Sequence, residues 1–114
     1  TADKTTLYDG DVNNRDLWGA YMGVETTISF WVDRNKCIGS SVDTLPDVDK
    51  NDGSIVIAEK HTGGKNNNEV WFYKIINGDH EWPPGWPERS GNGDLNTSEE
   101  IWTFFQHTID TRPL

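Results

Sequence analysis

His80 follows the strongest apolar, β-branched run in the chain, Val70 to Ile76, after Asn77-Gly78-Asp79 and before Glu81-Trp82-Pro83-Pro84. A neutral imidazole just beyond a strand can take a proton from a nucleophile and later return it. In open α/β sheets the carboxyl ends of strands are where sites are built. A solvated loop histidine is the other reading of the same residue. A histidine in acid–base work needs a carboxylate to fix its tautomer and to stabilise the imidazolium. Asp3 is the second candidate, although as one of 19 acidic residues its type alone does not separate it from a surface acid. Trp82 and Trp86, with the prolines between them, either line an apolar cleft for a sugar or aromatic ester or cap the core under a rigid loop.

Other chemistries fit less well. The single cysteine, Cys37, leaves no internal disulfide and excludes Cys₂His₂ and Cys₄ zinc patterns. The run Asp47-Val48-Asp49-Lys50-Asn51-Asp52-Gly53 has the look of a calcium loop. It carries Asp52 where an EF-hand needs glycine and Ala58 where it needs glutamate, so it reads as a solvated acidic turn. His61 and His107 have no partner at ligand spacing and read as surface residues. Asn96-Thr97-Ser98 fits the N-glycosylation pattern, a short match that also begins a helix.

These residues must be held by a small number of elements. Residues 1–23 are irregular, with a turn at Asp9-Gly10-Asp11 and a short helix as an option over Asn13 to Met22. Val24, Ile28, Trp31 and Val32 share one helical face, which predicts a helix from Val24 to Asn35. Thr44 to Ser54 is a loop. Ile55 to Ala58 and Val70 to Ile76 predict strands, and Gly63 to Asn68 between them suits a hairpin. A long loop follows, through Gly91-Asn92-Gly93-Asp94. Thr97 and Glu100 form a capping-box pair, after which Ile101, Phe104, Phe105 and Thr108 mark a final helix that Pro113 stops. Strand, loop and helix in that order are an α/β signature.

The 114 residues make one unit. Six Trp, four Phe and three Tyr are too many large apolar groups for a disordered acidic tail. A formal charge of −9, with 10 basic residues against 19 acidic ones, excludes a nucleic-acid binder. No apolar run reaches the roughly 20 residues of a membrane helix. The beginning at Thr1-Ala2-Asp3, without an initiator Met or a leader pattern, reads as a mature, excised or truncated product.

Asn77-Gly78-Asp79-His80-Glu81-Trp82-Pro83, followed by Ser98-Glu99-Glu100-Ile101-Trp102-Thr103-Phe104-Phe105, resembles the C-terminal end of the polyhydroxybutyrate depolymerase and feruloyl esterase group of α/β-hydrolases. Members of that group carry the catalytic histidine in a Gly-x-His-x-Trp-Pro loop before a closing helix. Thr1-Ala2-Asp3 is similar to the tail of the group's His-Gly-Thr-x-Asp segment, whose Asp is the triad acid. Thr27 to Cys37 resembles its helix ending in Trp-x-x-x-Asn-x-Cys, and Leu45-Pro46-Asp47 through Asp52-Gly53 its acidic loop.

The resemblance implies an α/β fold, here the C-terminal portion of an α/β-hydrolase with parallel strands, a hairpin and flanking helices, incomplete on its own. It implies Asp3 as triad acid and His80 as general base, in the Asp-before-His order of such enzymes, with Trp82 and Trp86 bordering the acyl or sugar end of the cleft. It implies no cofactor, a secreted location and an ester substrate of plant cell wall or polyester type. The sequence departs from the pattern in one decisive respect: none of Ser29, Ser40, Ser41, Ser54, Ser90 and Ser98 has Gly at both −2 and +2. The nucleophile elbow and the oxyanion segment are absent, as is the cysteine that pairs with the Cys37 position in many members. The expectation is therefore a piece of a feruloyl or acetylxylan esterase or polyhydroxyalkanoate depolymerase, inactive alone. Its partner is the missing N-terminal part of the hydrolase, in the same or a separate chain. The alternative is a non-catalytic module that binds carbohydrate or protein through Trp82, Trp86 and the acidic loops.

Overall fold

The computed structural model describes residues 1–84 and 91–111. Residues 4–9 are a succession of turns leading into β1, Gly10–Asp11, which pairs with β2, Tyr21–Met22. The helical option for Asn13 to Met22 is not realised. Asn14, Leu17 and Gly19 all have positive φ, which no right-handed helix contains. Gly10 is required where it stands: its φ is +79°, and a Cβ there would lie 2.6 Å from the Met22 carbonyl carbon.

Helix α1, Val24–Asn35, has the predicted limits and ends on Lys36 in the left-handed conformation. The sheet then forms from β3, Gly39–Thr44, β4, Ile55–Thr62, and β5, Val70–Ile76, in the order β3-β4-β5. The 3-10 turn Lys65–Asn67 lies between β4 and β5. After a long loop, α2, Thr97–Asp110, closes the described chain.

Both strand pairings are antiparallel, so the expected parallel sheet and the α/β-hydrolase portion built on it are corrected. The connections give the reason. Parallel neighbours need a crossover of a dozen or more residues, usually a helix. Here β3 joins β4 through residues 45–54 and β4 joins β5 through residues 63–69, neither holding an α-helix. The two helices precede and follow the sheet, so among the described residues neither is a crossover. The fold is α+β. β3 itself went unread, because Gly39-Ser40-Ser41 has the composition of a loop.

The register separates the two sheet faces. Val56, Ala58 and Lys60 stand opposite Ile75, Tyr73 and Trp71, and this face meets α2 through Trp71 against Phe104, ring centroids 5.3 Å apart. The opposite face carries Phe72 and Lys74 and meets α1 through the Lys74–Glu25 ion pair. The core is small: Val56, Ala58, Val70, Phe72 and Leu95 are its buried apolar residues, and neither helix has a buried residue.

Candidate functional site

The site begins at the end of β5. Asn77, with positive φ, and Gly78 turn the chain away from the sheet, and the Gly78 N–H returns to the Ile75 carbonyl at 3.2 Å. A Cβ on Gly78 would lie 2.7 Å from Ile75 Cγ2, so the turn needs glycine there. The same turn captures the start of the chain. Ala2 N–H donates to the Gly78 carbonyl at 2.8 Å, and Asn77 N–H donates to Thr1 Oγ1 at 3.0 Å. Residues separated by most of the sequence are thereby laid side by side.

Asp3 and His80 meet as a result. His80 Nδ1 lies 2.9 Å from Asp3 Oδ2. The other carboxylate oxygen, Oδ1, accepts from the N–H groups of Thr5 at 2.7 Å and Thr6 at 2.8 Å. Burial pushes the Asp3 carboxyl up. The Thr6 N–H, the His80 ring and the Thr5 N–H outweigh that and hold it below the usual carboxylate range. An ionised Asp3 calls for the tautomer with the proton on Nδ1, which leaves Nε2 with its lone pair. The Asp3 side chain is 21% exposed and that of His80 is 58% exposed. Among the described residues, no hydroxyl is hydrogen-bonded to His80.

A cavity of about 280 Å³ opens beside Asp3, with Tyr8, Phe72, Lys74, Asp79 and Glu81 in its walls. Its charge is mostly negative, because Lys74 is already paired with Glu25. That pair holds the Lys74 ammonium above its usual range and the Glu25 carboxyl below its own. Among the described residues, no group of three or more His, Cys, Asp and Glu side chains is placed to hold a metal ion. No helix of the described residues is long and apolar enough to cross a membrane.

Trp82 is not in the wall of that cavity. Its indole is 58% exposed and donates to Ser98 Oγ at 3.3 Å, at the start of α2. Trp86 lies outside the described residues. Cys37 is unpaired, half-buried beside the turn at residues 63–68, with its Sγ 3.8 Å from the Asn68 carbonyl. Burial and the nearby Glu69 carboxylate push its thiol up.

One group of residues escaped the sequence reading. Asn92, 1% exposed, donates from Nδ2 to Ser54 Oγ at 2.7 Å, and its Oδ1 accepts from Leu95 N–H at 3.0 Å. Its own N–H donates to Glu81 Oε1 at 2.8 Å. The acidic loop is part of this network. Asp52 Oδ2 accepts from Gly93 N–H at 2.8 Å, and Asp94 Oδ1 accepts from Val48 N–H at 2.7 Å. The N–H groups of Gly93 and Ser54 hold the Asp52 carboxyl below its usual range. Glycine and Asx residues clustered on both sides, at 47–54 and 91–94, were the available signal. Their mutual contact was not visible in it.

Compared with family models, with curated proteins and with solved structures, the chain matches none.

Proposed function

We propose that this chain supplies the acid–base pair of a serine ester hydrolase, with His80 as general base and then general acid and Asp3 as the residue that orients it. The ester is of the feruloyl, acetylxylan or polyhydroxyalkanoate kind, and the serine comes from polypeptide other than these 114 residues. One observation carries the reading: the 2.9 Å contact from Asp3 Oδ2 to His80 Nδ1, on a histidine whose side chain is 58% exposed. In such a pair the carboxylate fixes the tautomer, Nε2 takes the hydroxyl proton as an acyl-enzyme forms, and the same proton goes to the leaving group.

A second observation supports another polypeptide against this chain. The chain exposes 8297 Å², whereas a compact monomer of its mass exposes about 6,300 Å². The difference is as large as a permanent protein–protein interface.

The test uses the native assembly that contains this chain, treated with a fluorophosphonate probe that labels activated serines. A labelled serine in polypeptide outside these 114 residues is expected, with labelling and ester turnover lost in His80→Ala. Asp3→Asn is expected to lower kcat by about 10⁴. Full labelling in His80→Ala would sink the proposal, and so would ester turnover by the 114-residue chain alone that survives that substitution.

A further inference from the structure

His80 is held on one side by a bond within its own turn and flanked on the other by one to a part of the chain remote from β5. On the N-terminal side, the His80 N–H donates to Asp79 Oδ1 at 2.8 Å, a contact within its own turn. On the C-terminal side stands Glu81, whose Oε1 accepts from Asn92 N–H. Glu81 thus bridges the chain across residues 82–91. Gly91 lies directly against it: a Cβ at that position would overlap the Glu81 carboxylate. A side chain at residue 91 would therefore push the Glu81 carboxylate off its place beside the Asn92 N–H.

Asn92 anchors the other end of the bridge. Its side chain is buried and satisfied by Ser54 Oγ and by the N–H groups of Asp94 and Leu95. Ser54 is in turn fixed by Asp52, whose Oδ1 accepts from both its N–H and its hydroxyl. A buried amide with all its partners has one low-energy position, because any shift leaves a polar group unpaired away from water. The hydroxyl and carboxylate that fix Asn92 sit just before β4, the central strand of the sheet, so its position is referred to the most buried part of the molecule.

We propose that Glu81, Gly91 and Asn92 form a clasp that positions His80 against Asp3. The clasp rests on the acid–base reading of His80 and makes Asn92 a positioning residue that acts through Glu81. It touches neither Asp3 nor the imidazole, and its effect is to keep the ring within hydrogen-bond reach of the carboxylate. Acid–base pairs lose much of their effect with displacements of about 1 Å, so such a support matters to rate.

The test reads the Asp3–His80 bond directly, without substrate. The His80 Nδ1 proton is followed by NMR in the full chain, and its exchange with water is timed. Glu81→Gln keeps an acceptor for the Asn92 N–H and is expected to retain the slow exchange of the parent. Glu81→Leu and Gly91→Ala are expected to speed exchange about tenfold, the equivalent of one lost hydrogen bond. Far-UV circular dichroism is expected to stay unchanged in all three. Exchange in Glu81→Leu and Gly91→Ala as slow as in the parent would overturn the clasp. So would equally fast exchange in Glu81→Gln and Glu81→Leu. Absence of a protected Nδ1 proton in the parent chain itself would instead overturn the acid–base reading. Asn92→Ala extends the series: where it folds, it is expected to match Glu81→Leu, and slow exchange in it counts against the clasp.

Discussion

Asp3 owes its ionisation to three donors, and that has a consequence for stability. Its carboxyl is held below the usual range when folded, and the Asp52 and Glu25 carboxyls shift the same way. A depressed carboxyl contributes stability that is present above its unfolded pKa and is lost as pH falls through the folded one. Lys74 and Tyr73 move in the opposite direction, Lys74 raised by Glu25 and Tyr73 by burial and by Glu100. Groups raised in the folded state contribute fully below their unfolded values and lose that contribution as pH climbs past them. These groups are therefore expected to make stability fall below about pH 4 and fall again above about pH 10. Urea midpoints measured across that span check both limbs. A midpoint that rises on acidification below pH 4 would contradict the assignment.

At the scale of elements, periodicity within a segment marked α1 and β5, while β3, the far half of β4 and the relations between segments were not legible in it. Val24, Ile28 and Val32 repeat at helical spacing and give α1 its predicted limits. Val70 to Ile76 is β-branched and aromatic except at Lys74 and gives β5 its limits. The start of α2 is shifted by one from the capping box. Asn96 is the cap, its Oδ1 accepting from Glu99 N–H at 3.2 Å. Thr97 Oγ1 is left buried without a partner among the described residues, and Glu100 turns to the Tyr73 hydroxyl. That tertiary bond outcompeted the local one. Asn96→Ala is accordingly expected to cost about 1 kcal/mol by chemical denaturation, while Thr97→Ala costs well under that. A larger loss at Thr97 would restore the box as first read.

The whole molecule is thin and open. Its radius of gyration is 15.6 Å, against about 13 Å for a compact chain of this length, and its extents are 44 × 37 × 20 Å. One-layer cover on each sheet face leaves apolar surface in view, including Trp102 at 62% and Phe105 at 53% exposure on α2. Trp71, Ile101, Phe104 and Phe105 line an apolar groove of about 390 Å³ between α2 and β5. The folded chain is therefore expected to bind the apolar dye ANS at neutral pH. Phe105→Glu is expected to reduce that fluorescence, with a stability change within about 0.5 kcal/mol because the side chain is already half in water. Undiminished dye binding in the variant would place the apolar surface elsewhere.

Residue types and spacing by themselves determined α1, β5, α2, the first half of β4 and His80 as a candidate, because each rests on local periodicity or on the chemistry of a side chain, while Asp3 stood out only through the family resemblance. Tertiary structure decided the rest. The direction of the strands followed from short connections that hold no crossover helix, against the parallel expectation. The contact of Asp3 with His80 came from the Asn77-Gly78 turn gathering in residues 1–3, and the support beneath His80 came from two polar loops closing on Asn92. Composition marks such segments as loops, whereas their position depends on hydrogen bonds between groups far apart in the chain.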